Sequence, residues 1–166
     1  MMWTMIDSPV GRLRLIEQDG AISAIEFEPH DDRRVRGPRA DDHPLLVECA
    51  SQLAAYFAGE LTDFDLPLAA EGTEFQHLVW AELRRIGYGS TATYGEIAAR
   101  LGKSNAASRA VGLANGRNPI PIVVPCHRVI GADGTLTGYA GGLDRKRVLL
   151  ALEGVTQPAD ETPALF

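Results

Sequence analysis

The sequence predicts an α+β fold: a small N-terminal β-sheet and helix domain, then a mostly α-helical C-terminal domain containing a helix-turn-helix (winged-helix-like). Three observations predict it. The first 28 residues read as strands, apolar side chains recur at helical spacing after residue 43, and glycines and prolines divide the second half into short helices. At 166 residues the chain accommodates one domain, or two small ones, with a real core.

Met2–Ile6 leads into the turn Asp7-Ser8-Pro9-Val10-Gly11. Leu13 and Leu15 alternate with Arg12 and Arg14, and Asp19-Gly20 supplies a hairpin signal before Ala21–Phe27. Residues 29–43 are charged and contain proline and glycine, so a mobile loop is expected there. Over residues 44–58, Leu45, Leu46, Cys49, Leu53, Tyr56 and Phe57 mark a helix that Gly59 stops. Cys49 lies on its apolar face and reads as a small core residue. Residues 60–72 form a connector, which sets the expected domains at 1–72 and 73–154, with 155–166 as a poorly ordered tail.

Thr73-Glu74-Phe75-Gln76 has the spacing of a capping box, opening a helix with Phe75, Leu78, Val79, Leu83 and Ile86. Gly87-Tyr88-Gly89 breaks it. A short helix over 94–101 ends at Gly102, and another follows over 106–115, so the pair forms a helix-turn-helix candidate. Residues 118–121 are irregular, Ala132-Asp133-Gly134 is a turn, and a last helix covers 143–153, with Leu149, Leu150 and Leu152 inward and Gly154 as its stop.

Apolar residues make up 45% and charged residues 23%, ordinary for a soluble protein. No apolar run approaches the ~18 residues of a membrane span, and no signal-peptide core is evident, so a cytoplasmic protein is expected. Cys49 and Cys126 do not suggest a disulfide framework, and His30, His43, His77 and His127 have no zinc-ligand spacing. No metal or cofactor is expected. Residues 1–72 hold 14 acidic and 6 basic side chains, a net of −8; residues 73–153 hold 6 acidic and 10 basic, a net of +4. The second half can therefore accommodate a polyanion.

The chemistry concentrates in residues 122–131, IVVPCHRVIG. Cys126 follows a proline at a turn, and His127 and Arg128 are neighbours able to supply a base or a positive field. Glu153 is a candidate carboxylate to orient the histidine. These residues alone leave a buried structural cysteine, a metal fragment and an activated nucleophile all open.

The motif Pro125-Cys126-His127-Arg128-Val129-Ile130-Gly131, followed by Gly138-Tyr139-Ala140-Gly141-Gly142, resembles the active-site signature of the O6-alkylguanine-DNA alkyltransferases. The flanks are similar too: Tyr94-Gly95-Glu96-Ile97, Arg109-Ala110-Val111-Gly112, Asn118-Pro119 and Leu149-Leu150-Ala151-Leu152-Glu153-Gly154. The likeness is close over 73–154 and looser before it, through the strands and Tyr56-Phe57-Ala58-Gly59.

The resemblance implies irreversible, stoichiometric transfer of an alkyl group from O6-alkylguanine in duplex DNA (chiefly O6-methylguanine, with O4-alkylthymine as a further substrate) to Cys126. His127 would draw the thiol proton through a water, Glu153 would polarise His127, and Asn118 would brace the turn. Tyr94 would donate a hydrogen bond to the leaving guanine. The base must leave the stack, and Arg109 would fill the gap. The small residues Ala106, Ala107, Ser108, Ala110 and Gly112 would let that helix enter the minor groove, and Arg128 would join the DNA contacts.

The pocket would comprise the backbone of Val129, Pro121, and the flexible wall at Gly138, Tyr139 and Ala140. Family members often carry serine where this chain has Ala140. Lys103, Arg117, Arg145, Lys146 and Arg147 are generic phosphate candidates. The turn over 102–108 is one residue longer than in some relatives, which bears on where the Arg109 helix starts. The expected partner is lesion-bearing double-stranded DNA, with no membrane and no metal, and the protein is a monomer with clustering on DNA as an alternative. Two competing functions are a lesion-binding module without transfer, and a cysteine hydrolase using Cys126, His127 and Glu153.

Overall fold

The computed structural model describes residues 1–139 and 141–155. Ala140 and residues 156–166 of the expected tail lie outside them. The chain forms two units: residues 1–71 with 119–121, and 72–118 with the described residues from 122 onward.

In the first unit, β1 (Met2–Ile6), β2 (Leu13–Gln18) and β3 (Ala21–Phe27) make an antiparallel sheet in that order. Asp19 and Gly20 both take positive φ, 52° and 82°, as a type I′ hairpin turn requires. Helix α1 (Pro44–Phe57) packs against β2 and β3, burying Leu46, Cys49, Leu53 and Tyr56.

Arg14 departs from the expected alternation, because its side chain is fully buried in β2. Its guanidinium donates to Glu26 at 2.7 Å, Asp32 at 3.0 Å and the Asp31 carbonyl at 2.8 Å. The 29–43 segment is consequently tied down rather than a free loop. The Trp3 indole donates to the Gly37 carbonyl at 3.0 Å, and the Ala40 N–H donates to the Trp3 carbonyl at 2.8 Å. The connector is also held, with the Ile22 N–H donating to Pro67 and the Ala69 N–H to Ile22.

The second unit opens with α2 (Glu74–Leu83), which has the expected capping box: the Gln76 N–H donates to Thr73 Oγ1 at 3.2 Å, and the Thr73 N–H donates to the Gln76 side chain at 2.9 Å. The helix ends at Leu83, short of Ile86. Then come β4 (Ala92–Thr93), α3 (Tyr94–Arg100), a 3-10 turn at Asn105–Ala107 and α4 (Ser108–Gly116). Gly95 permits a close approach of the intervening turn, since a Cβ there would lie 2.6 Å from Asn105 Oδ1. The Trp80 indole donates to the Ala114 carbonyl at 2.9 Å, joining α2 to α4.

β4 pairs in parallel with β5 (Val129–Ile130), a ladder too short to be announced by any periodicity. Helix α5 (Leu143–Leu152) buries Leu149 and Leu150, the latter with Ile130 and Leu136. Among the described residues no helix is long and apolar enough to cross a membrane, and no three His, Cys, Asp or Glu side chains gather as a metal site.

Candidate active site

Cys126 opens a 3-10 turn, Cys126–Arg128, after an unusual bend. Ile122 has φ of 74°, a conformation β-branched residues rarely adopt, and it persists because the side chain is 1% exposed and fully packed. Polar groups clamp the bend from α4 and its end. The Asn118 amide donates to the Val124 carbonyl at 2.8 Å, and the Asn115 amide to the Cys126 carbonyl at 3.3 Å. The Cys126 thiol is 3% exposed. Burial pushes its pKa up, while hydrogen bonds from Asn118 and Tyr139 and the positive charge of Lys146 pull it back.

The next two side chains share one carboxylate. His127 Nε2 lies 2.7 Å from Glu153, and the Arg128 guanidinium donates to both Glu153 oxygens at 2.7 and 3.1 Å. Neutral His127 thus carries its proton on Nε2, facing Glu153, and its basic nitrogen is Nδ1. Nδ1 is buried without a hydrogen-bonding partner among the described protein groups. Burial lowers the His127 pKa, opposed by Glu153 and reinforced by Arg128 and Lys146, so the imidazole is suited to accept a proton rather than to hold one.

Tyr94 starts α3, and Gly112 on α4 faces its ring, where an added Cβ would sit in ordinary contact at 3.7 Å. Tyr94, Ser108, Arg109, Gly112, Leu113 and Thr137 line an open cavity of about 380 Å³. The Tyr94 hydroxyl is 2.6 Å from Thr137 Oγ1. Burial holds the phenol pKa above its usual value, so it is a proton-bearing donor at neutral pH. On α4 the inward residues are Val111, Ala114 and Asn115, whereas Arg109, Ala110 and Leu113 are exposed, as is Ala106 in the 3-10 turn before it. Two of the small residues expected to enter the groove, Ala106 and Ala110, are therefore at the surface.

Two expectations are corrected. Arg128, expected at DNA, is 6% exposed, and its guanidinium is taken up by Glu153 and by the Ile86 carbonyl at 2.6 Å. Lys146, a phosphate candidate, is fully buried and donates to the carbonyls of Val129 at 2.6 Å and Thr137 at 3.1 Å. Burial lowers its pKa to about 8. Lys103 and Arg117 remain at the surface. Val129 is buried and Tyr139 half-buried; Gly138 is exposed; Pro121 is buried and belongs to the first unit. Asn115, Thr137 and Leu113 join the site without a motif that marks them in the sequence; an exposed leucine one turn after Arg109 is the one signal for the last.

Residues 74–155 match the model of the 6-O-methylguanine DNA methyltransferase DNA-binding domain, and residues 1–70 match that of the ribonuclease-like domain of the same proteins. The chain belongs to the 6-O-methylguanine DNA methyltransferase family. A methylated-DNA–protein-cysteine methyltransferase of Mycolicibacterium paratuberculosis is 52% identical, over 95% of this chain and 94% of that protein. One of Methanosarcina acetivorans is 51% identical, over 93% and 99%. Among solved structures of this methyltransferase family, the Mycobacterium tuberculosis O6-methylguanine methyltransferase superposes with a TM-score of 0.85 at 47% identity, covering 98% of both chains. The M. tuberculosis protein solved in complex with DNA gives 0.83 at 48%, covering 92% of both.

Proposed function

We propose that this protein repairs O6-alkylguanine, chiefly O6-methylguanine, in double-stranded DNA by transferring the alkyl group once to Cys126, with O4-alkylthymine as a further substrate. The observation that carries this reading is the buried Glu153–His127 pair beside a thiol surrounded by groups that favour its anion. The Cys126 sulfur attacks the alkyl carbon, so that the S–C bond forms as the O–C bond breaks. The thiol proton passes through a water to His127 Nδ1, and Glu153 balances the imidazolium. Tyr94 donates to the departing base, offsetting the charge that leaves with it.

The DNA face of this reading is the exposed side of α4, with Arg109 filling the gap left by the extruded base and Ala106, Ala110 and Leu113 beside it. With Arg128 and Lys146 buried, the cations left for phosphates are surface ones such as Lys103 and Arg117, and affinity falls as salt rises. The protein acts as a cytoplasmic monomer, with clustering on DNA as the alternative to be seen by sedimentation.

Incubation with duplex DNA containing O6-methylguanine, followed by mass spectrometry of the Cys126 peptide, tests the reading. One methyl group per protein is expected, with no further turnover. An unmodified Cys126 overturns the proposal, and multiple turnovers indicate a hydrolase instead.

A further inference from the structure

The Tyr94 hydroxyl meets Thr137 Oγ1 at 2.6 Å, and both residues line the same cavity as Arg109. Thr137 is itself held from behind. Its carbonyl accepts from Lys146 Nζ at 3.1 Å, and the same ammonium reaches the Val129 carbonyl at 2.6 Å. A fully buried lysine engaged by two carbonyls anchors residue 137 to α5 and to the strand that follows Cys126. Tyr94 is placed just as firmly, by the Thr93 N-cap of α3 and by α4 against its ring. The two hydroxyls therefore face each other from independently fixed backbones.

A threonine hydroxyl both donates and accepts, whereas a tyrosine that gives its one proton to a base can still accept at oxygen. We propose that Thr137 is a positioning residue that aligns and polarises the Tyr94 hydroxyl for the departing base. In the lesion-free protein the two hydroxyls share one hydrogen bond, which either can donate. With a guanine in the pocket Thr137 donates to the phenolic oxygen, while the Tyr94 proton points at the base. The second hydrogen bond strengthens the first. This inference rests on the alkyl-transfer reading and adds a residue to it.

The test is single-turnover methyl transfer from O6-methylguanine DNA at saturating DNA, with DNA affinity measured separately. Thr137→Val keeps the shape and removes the hydroxyl, and it is expected to slow transfer by about 3- to 10-fold, the worth of one hydrogen bond, with affinity within about twofold of wild type. Thr137→Ser restores the rate to within about twofold, because it keeps the hydroxyl. In a Tyr94→Phe background, Thr137→Val adds no further loss, since a residue acting through Tyr94 has nothing left to align.

A wild-type rate in Thr137→Val overturns the proposal. So does a full additional loss on top of Tyr94→Phe, or a penalty that Thr137→Ser shares, either of which marks a structural role. Thr137→Ala supplies the same comparison if the valine variant does not fold. A wild-type protein that leaves Cys126 unmethylated refutes the underlying reading itself, an outcome distinct from all of these.

Discussion

The two cysteines are both buried and free, 0% exposed at Cys49 and 3% at Cys126, yet their surroundings differ in kind. Cys49 faces inward from α1 beside Leu46, Leu53 and Tyr56, and burial drives its pKa to about 12, with Glu48 adding to the rise. Its thiolate is scarcely populated at neutral pH. Burial acts on Cys126 in the same direction, but there Asn118, Lys146 and Tyr139 all work against it. Burial sets the cost of the thiolate; the polar groups brought to the sulfur decide whether the cost is met.

The largest expected effect separates the two sites by function. Cys126→Ser is expected to reduce methyl transfer to background, whereas Cys49→Ala keeps transfer stoichiometric, both read by mass spectrometry of the DNA-treated protein. Loss of transfer in Cys49→Ala would erase the contrast.

Next is stability. Arg128→Ala removes the guanidinium that donates to both oxygens of buried Glu153, and a loss of about 3–5 kcal/mol is expected in denaturant unfolding. A loss below about 1 kcal/mol would show that the cluster is looser than its geometry implies.

Labelling by a small alkylating reagent separates the two thiols further. At pH 8, iodoacetamide is expected to label Cys126 faster than Cys49, because only Cys126 has neighbouring groups that oppose the rise burial causes. Equal labelling, read by peptide mapping, would break the contrast.

The pH dependence comes next. His127 has a folded pKa below its ordinary value of 6.5, so the unfolded chain binds the extra proton as pH falls through about 6.5. Stability from this group is present above that pH and is lost below it. The imidazole also stays neutral, so the acid limb of the transfer rate is expected below pH 6.5; a midpoint at or above it excludes His127 as the buried base. The smallest effect is the stability cost of Cys49→Ala, about 1 kcal/mol by thermal melting, the ordinary scale for trimming a core side chain.

Much of this contrast was legible beforehand. The apolar spacing of α1 marked Cys49 as core, and the resemblance of residues 125–131 and their flanks pointed to Cys126, His127 and Glu153. The Thr73 capping box and the Asp19-Gly20 hairpin were equally readable, because each is settled by residues within four positions of one another. Arg14 and Arg128 were misread for one reason. A cation in a sequence looks like a solvated or DNA-facing charge, and its burial depends on carboxylates supplied from elsewhere: Asp32, 18 residues from Arg14, and Glu153, 25 residues from Arg128.

The sequence by itself determined the three N-terminal strands, the main helices and the family signature around Cys126, since periodicity, capping and turn chemistry are local properties. Tertiary structure decided which polar side chains became internal. It turned Lys146 from a surface cation into the anchor of Val129 and Thr137, brought Asn115 under the Cys126 carbonyl, and set Thr137 against Tyr94 across 43 positions of chain. A buried polar group is tolerated only where a partner meets it, and in these cases the partner comes from a distant segment that only the folded chain brings near.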